Sequence, residues 1–298
     1  MTTRSNGPLA GFGWLKRGFS VGYRHPKPLL GGAALLVLAC LLPSLITLPL
    51  QFLSLGAGAQ PNPTTFAWIT AGSMLLGLLI VPLYAGYLRM IDVAERGLPT
   101  RARDIFNPYR QGEAWRLIGY GLAMIVVYIA IIGMIIAATG SGIANWYMQM
   151  LTAQAAHQPP PALPSGFGIA MALLVLFGLF MMGFYAISLG QVALQRRNVL
   201  GAIGDGLVGA SKNMLPLFVF ALSSVLAWIV VAIAFAIVAM LLALLGKLLG
   251  GWLMFLLVPL YIAMMLLMFT VMFGVMYHLW RDVCGGDAVA GVAPQIAA

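Results

Sequence analysis

The chain has 298 residues, of which 62% are hydrophobic and only 8% are charged. A soluble domain carries about 25% charged residues, so this composition excludes an ordinary soluble protein and indicates a polytopic membrane protein. The formal net charge of +9 would suggest nucleic-acid binding in a soluble chain. In a membrane protein it indicates topology and affinity for anionic lipid headgroups instead.

Six apolar runs predict an all-α fold with six transmembrane helices, because each run reaches the roughly 20 residues that a span needs. The predicted spans are about 29–50, 66–88, 117–139, 166–189, 214–245 and 252–280. A short amphipathic segment precedes each pair of spans, so we expect three hairpins, each introduced by a helix in the headgroup plane. Whether these units are a true repeat or the ordinary consequence of six spans stays open. Residues 1–12 are predicted to be a disordered N-terminal tail, 13–283 the membrane domain and 284–298 a flexible C-terminal tail.

The first and third amphipathic segments place apolar residues at helical spacing. In the first segment, the apolar face consists of Trp14, Leu15, Phe19 and Tyr23, with Lys16 and Arg17 off it. In the third segment, it consists of Leu200, Ile203, Leu207 and Ala210, with Asp205 and Lys212 away from it. We therefore expect both helices to lie in the membrane interface with these faces toward the lipid.

Basic residues mark alternate predicted loops and so indicate the orientation. Of the 16 Lys and Arg residues, only Lys247 falls in an odd-numbered loop, and all seven acidic residues share the basic side. Loops rich in Lys and Arg stay in the cytoplasm. The sequence therefore predicts a multi-pass protein of the bacterial inner membrane with both termini cytoplasmic.

The chain lacks the patterns that carry enzyme chemistry. It contains no phosphate-binding Gly-Lys-Ser/Thr loop, no His-Glu-x-x-His and no Gly-x-Ser-x-Gly. The three histidines, His25, His157 and His278, are isolated, and Cys40 and Cys284 form no disulfide or zinc pattern. We therefore predict no enzymatic activity, no metal site and no cofactor.

Two further functions remain open at this stage. No Asp, Glu, Lys or Arg falls in the middle of a span, which disfavours an ion-driven pump but leaves room for a passive facilitator or exporter of an apolar or amphipathic solute. The sixth span repeats methionine every four residues, at Met264, Met268, Met272 and Met276. Thioethers bind Cu(I), but methionine also fills gaps between helices, and a spacing of four drifts by about 40° per step around a helix.

Four short motifs resemble those of a known group. They are residues 14–19 (Trp-Leu-Lys-Arg-Gly-Phe), 84–88 (Tyr-Ala-Gly-Tyr-Leu), 95–97 (Glu-Arg-Gly) and 104–106 (Asp-Ile-Phe). With the layout of the whole chain, they are similar to uncharacterised bacterial inner-membrane proteins of the YciC-like group and to the membrane domain that precedes some glycerophosphodiester phosphodiesterases. This resemblance implies a six-helix membrane domain in three units and implies no catalytic residues.

The leading functional hypothesis is a non-enzymatic inner-membrane protein that binds lipid or scaffolds other membrane proteins, and the alternative is an accessory subunit of a larger complex. The expected partners are membrane phospholipids, with a membrane-protein partner or a homo-oligomer as alternatives, and not nucleic acid. The candidate headgroup or partner site consists of basic residues in the first two amphipathic segments: Lys16, Arg17, Arg101, Arg103 and Arg110. The last three lie beside Ile105, Phe106 and Tyr109, a combination that suits a lipid headgroup or a protein partner.

Overall fold

The computed structural model describes residues 3–56, 63–140 and 142–285, and within these ranges the chain forms α-helices and two 3₁₀ turns with no strand. The helices are α1 (Ala10–Arg24), α2 (Pro26–Gly56), α3 (Pro63–Leu78), α4 (Val81–Glu95), α5 (Asn107–Arg110), α6 (Ala114–Thr139), α7 (Gly142–Ala155), α8 (Phe167–Leu194), α9 (Val199–Lys212), α10 (Met214–Leu249) and α11 (Leu257–Cys284). The 3₁₀ turns are Ala102–Phe106 and Gly251–Leu256.

Six segments of the described chain are long and apolar enough to cross a membrane. They are Pro26–Leu50, Ala67–Glu95, Ala114–Thr139, Phe167–Leu194, Met214–Lys247 and Gly251–Cys284. The chain is therefore a multi-pass membrane protein, and the predicted all-α fold is confirmed. A short helical element precedes each pair of spans: α1, the turn Ala102–Phe106 with α5, and α9.

The spans extend further at their charged ends than the sequence predicts. Three predicted limits, 88, 189 and 280, become Glu95, Leu194 and Cys284. The helices continue because these ends keep apolar residues on a face that packs inside the protein. After Arg89, for example, Met90 and Ile91 are buried.

The second span bends where the sequence places Pro82. Helix α3 ends at Leu78, a turn follows at Leu79–Ile80, and α4 begins at Val81. Proline has no backbone N–H and disrupts the preceding turn of a helix. Here the Leu83 N–H bonds the carbonyl of Ile80 at 2.9 Å, and the Tyr109 hydroxyl donates to the carbonyl of Leu79.

Two regions differ from expectation. The uncharged loop before the fourth span contains α7, which the sequence analysis did not predict; good helix formers fill this segment, and it ends before the prolines at 159–161. The described N-terminal residues, expected to be disordered, are bonded to distant parts of the chain: the Arg4 N–H donates to the Val283 carbonyl and the Asn6 N–H to Asn213 Oδ1, both at 2.9 Å. These partners lie about 200 residues or more away in sequence, so local composition does not reveal them.

Most of the predicted C-terminal tail, residues 286–298, lies outside the described residues.

The chain forms two compact units. The first comprises Met1–Leu35, Ala85–Ile105 and Leu179–Ala298, and the second comprises Leu36–Tyr84 and Phe106–Gly178. The core of the first unit lies among the charged ends of the spans, together with α1 and α9. In the second unit, α6 packs on the second span, where a Cβ at Gly121 would approach Leu78 and Val81 at 2.9 Å.

Candidate functional site

Helix α1 packs in the first unit through its glycine face. Its buried residues are Gly11, Trp14, Leu15, Gly18, Val21 and Gly22. A Cβ at Gly11 would overlap the backbone carbonyl of Pro216 on α10, and one at Gly18 would lie 2.8 Å from the carbonyl of Val271 on α11. Glycine is required at both positions because the neighbouring backbone leaves no space for a side chain.

The outer face of α1 carries the remaining large side chains. We define the α1 outer stripe as Leu9, Phe12, Lys16, Phe19 and Tyr23, all of which are exposed. Tyr23 is 88% exposed and Phe12 is 56% exposed. The expected lipid-facing side was therefore only half right: Trp14 and Leu15 face the protein, whereas Phe19 and Tyr23 face outward.

Helix α9 repeats this arrangement, and the apolar face expected from its sequence is also divided. Its buried residues are Ala202, Asp205, Gly206, Gly209 and Ala210. Leu200, in contrast, is 80% exposed, and Leu207 is exposed on the same side. In both helices small residues form part of the buried face and allow close helix packing, although α1 also buries Trp14, Leu15 and Val21.

Arg17 is half-buried and paired within the protein, and it does not belong to the outer stripe. Its guanidinium forms an ion pair with the Asp282 carboxylate near the end of α11, and the Trp14 indole N–H donates to the same carboxylate at 2.9 Å. Arg17 therefore links α1 to α11, whereas the other basic residues of the predicted site have no such ion pair among the described residues.

Most of the acidic residues face partners within the chain. Six of the seven lie in the described chain, and five of these have a hydrogen-bond or ion-pair partner: Arg96 and Tyr277 for Asp92, Thr100 and the Arg101 N–H for Asp104, Arg116 for Glu113, Gln191 and Arg197 for Asp205, and Arg17 and Trp14 for Asp282. The sixth, Glu95, lies near His278 without a hydrogen bond to it. Most of the described carboxylates are therefore already bonded to donors or cations within the chain.

Several basic side chains, in contrast, are exposed and form no hydrogen bond or ion pair with the described chain. They are Lys16, Arg24, Lys27, Arg101, Arg103, Arg110 and Lys247. All except Lys247 belong to the charged ends of the spans. The unpaired surface charge at these ends is therefore positive.

Four of these bases come from elements that meet in the first unit, and we call Arg24, Lys27, Arg101 and Arg103 the basic patch. A Cβ at Gly31 on α2 would lie 2.9 Å from the Cβ of Ala102 in the 3₁₀ turn, which places this turn against the start of α2. Lys27 lies one helical turn before Gly31 on the same face, and Arg101 and Arg103 flank Ala102.

The structure therefore brings together only part of the predicted site. Lys16, Arg101, Arg103 and Arg110 are exposed as expected, but Arg110 belongs to the second unit. Sequence analysis did not select Arg24 and Lys27. Their position between an amphipathic helix and a span is the signal that identifies them, since Lys and Arg next to a span end interact with headgroups.

Tyr109 in the second unit is an aromatic residue of the second amphipathic segment that is partly exposed and hydrogen-bonded. It is 39% exposed, and its hydroxyl bonds the Leu79 carbonyl beside the bend of the second span. Partial burial raises its pKa above the usual value for tyrosine, so it stays a neutral hydrogen-bond donor.

No metal site is evident in the described part of the chain, where no three His, Cys, Asp or Glu side chains come together. The buried His278 places its Nε2 3.9 Å from Glu95 Oε2, which is beyond hydrogen-bonding distance. One turn earlier on α4, Asp92 accepts a 3.0 Å hydrogen bond from the Tyr277 hydroxyl. These contacts join α4 to α11 and form no pattern of a reactive centre.

Comparison of this chain with protein-family models, with curated proteins and with solved structures found no match.

Proposed function

We propose that this chain is a non-enzymatic protein of the bacterial inner membrane that binds anionic phospholipid headgroups at its cytoplasmic side through the basic patch. The observation that carries this proposal is the difference between acids and bases at the charged ends. Five of the six described carboxylates have partners within the chain, whereas the side chains of Arg24, Lys27, Arg101 and Arg103 are exposed and have no hydrogen bond or ion pair among the described residues.

Anionic headgroups are the chemistry that complements this arrangement. A negatively charged membrane surface attracts each nearby Lys or Arg by about 1 kcal/mol, and the attraction falls off within a Debye length. The basic patch lies at the start of α2, which is the first candidate span, so its side chains need little reach to meet lipid phosphates. The positive-inside rule supports a cytoplasmic location for this side and for both termini.

Native mass spectrometry of lipid mixtures tests the proposal. The protein would be purified, exchanged into detergent with equal amounts of phosphatidylglycerol and phosphatidylcholine, and the bound lipids counted. We expect phosphatidylglycerol to be enriched several-fold on the wild type. A triple variant, Lys27→Gln with Arg101→Gln and Arg103→Gln, should lose most of that enrichment, because about three attractive charges are removed.

Lys247→Gln is the matched control. Lys247 is also exposed and forms no hydrogen bond or ion pair with the described chain, but it lies in the last turn of α10 and does not belong to the basic patch. This variant should bind phosphatidylglycerol as the wild type does. Equal binding of the two lipids by the wild type, or an unchanged preference in the triple variant, would refute the proposal. Because the replaced side chains are exposed and form no hydrogen bond or ion pair with the described chain, thermal unfolding of the triple variant should match that of the wild type.

A second candidate, a scaffold or accessory subunit, is favoured by α10. The candidate span Met214–Lys247 has no buried residue in its most apolar stretch. At 1.5 Å per residue, a helix of 36 residues is about 54 Å long, compared with about 30 Å of hydrocarbon core. A second membrane protein could cover this face, and its stoichiometric co-purification from native membranes would support this function; a monomer in mild detergent would oppose it.

The resemblance to YciC-like proteins and to the membrane domain of glycerophosphodiester phosphodiesterases remains a proposal as well. It agrees with the six-span layout and with a non-catalytic role. The methionines at 264, 268, 272 and 276, the candidate Cu(I) ligands, are partly exposed, and no group of three His, Cys, Asp or Glu side chains accompanies them among the described residues.

A further inference from the structure

We propose that α1 is an in-plane membrane helix and that the α1 outer stripe inserts into the boundary between headgroups and acyl chains. This inference rests on the proposed contact with lipid but not on headgroup charge. The side of α1 that we assign to the membrane is the one opposite to Trp14 and Leu15.

The depth of α1 follows from what its inner face contacts. A Cβ at Gly22 would meet Thr270 at 3.3 Å and Leu267 at 3.4 Å on α11. Leu267 is exposed, and α11 has no buried residue from Leu257 to Phe269. The C-terminal end of α1 therefore lies at the level where α11 begins to expose its apolar side chains.

The N-terminal end of α1 reaches a similar level on α10. Gly11 packs on the backbone of Pro216 and Phe220, and the neighbouring Leu215 and Phe218 are 58% and 54% exposed. Both ends of α1 thus lie beside the apolar surface of a candidate span. Its outer face cannot be far from the lipid that covers that surface.

The chemistry of the stripe suits this position. Phe12, Phe19 and Tyr23 provide apolar and amphipathic aromatic rings, which are favourable at the membrane interface. Lys16 lies between them and can extend its ammonium group to the headgroups while its alkyl stem stays apolar. A single residue, His25, separates α1 from α2, so the C-terminal end of the stripe lies next to the start of the first candidate span.

Photo-crosslinking tests the assignment with conservative substitutions. The photoreactive amino acid p-benzoylphenylalanine would replace Phe12, Phe19 or Tyr23, one at a time, in the full-length protein in native membranes. Phe218 on α10 serves as the reference for lipid contact. The negative control is Leu98, which is 56% exposed and follows the end of α4. The end of α4 lies beside His278, which is about 16 Å along α11 from Leu267. Leu267 marks the level of α1, so Leu98 lies well away from that level.

We expect ultraviolet light to produce phospholipid adducts at the three α1 positions with yields within about twofold of Phe218, and at least fivefold above Leu98. Mass spectrometry of the α1 peptide identifies the adduct. Yields at the Leu98 level, or crosslinks to a second copy or to another protein in place of lipid, would overturn the inference. Lipid adducts here without a preference for phosphatidylglycerol in the headgroup experiment would leave the α1 assignment standing and reject the basic patch.

Discussion

The two halves of α11 differ sharply in how much of each is buried. From Thr270 to Cys284 most residues are buried, and they include His278 and Tyr277. From Leu257 to Phe269 none is buried. The composition is apolar in both halves, so hydrophobicity alone does not explain the difference.

The difference follows from the two solvents that the helix meets. At the charged end, polar groups such as Asp282 and Arg17 need partners, and apolar side chains gain free energy by leaving water. In the hydrocarbon core, an apolar side chain gains nothing by moving from lipid to a neighbouring helix, and only close packing or hydrogen bonds hold helices together. Stability is therefore expected to be concentrated at the charged ends.

The largest effect is expected where α1 meets α10. In Gly11→Ala the new Cβ overlaps the Pro216 carbonyl, which belongs to the backbone and cannot move aside easily. We expect a loss of about 3 kcal/mol in the free energy of unfolding, measured as a lower midpoint of thermal unfolding in mild detergent. Gly13→Ala is the control in the same helix, because a Cβ there meets nothing within 4 Å; equal stability of the two variants would contradict the packing of α1.

A smaller loss is expected at the ion pair between α1 and α11. Asp282→Asn removes the charge that faces Arg17 and weakens the bond from Trp14. Hydrogen bonds to charged groups contribute about 1.5–3 kcal/mol, and partial exposure of both side chains places the expected loss near the lower limit. Asp104→Asn is the comparison, since Asp104 interacts only within its own turn. The same thermal measurement should show a clearly smaller shift for it, and a larger shift would argue against the role of Asp282.

The smallest effect is expected deeper in the first unit. The Tyr87 hydroxyl donates to the Leu29 carbonyl at 3.0 Å and lies 2.9 Å from Thr270 Oγ1, so it joins α2, α4 and α11. Hydrogen bonds between membrane helices contribute about 0.6 kcal/mol on average, and Tyr87→Phe should therefore lower the free energy of unfolding by about 1 kcal/mol. Tyr261→Phe, at an exposed position in the other half of α11, should leave it unchanged. A loss at Tyr261 as large as that at Tyr87 would remove the distinction between the two halves.

The fold was predictable because length and hydropathy determine spans. The six apolar runs and their order follow from composition, and the errors lie at the charged ends, where Glu95 and Cys284 continue helices past the predicted limits. There the apolar residues pack against protein and not against lipid, which hydropathy does not distinguish.

The candidate site was less predictable, and α1 shows why. A helical pattern identifies faces but treats glycine as neutral, so it grouped Trp14 with Tyr23. The structure places Trp14 inside because Gly11 and Gly18 allow the backbone of α1 to approach α10 and α11. Likewise, Arg17 and Lys16 are adjacent and alike in sequence, and only the distant Asp282 separates their roles.

A nitroxide scan along α11 tests the contrast between the two halves most directly. With Cys40 and Cys284 replaced by serine, single cysteines from Val258 to Leu279 would be spin-labelled in the reconstituted protein, and the accessibility to dissolved oxygen would be measured at each position. We expect high oxygen accessibility at exposed positions up to Leu267 and a fall by severalfold from Val271 onward. Accessibility that stays high through Val275 and Leu279 would show that this end of α11 faces lipid and would contradict the account.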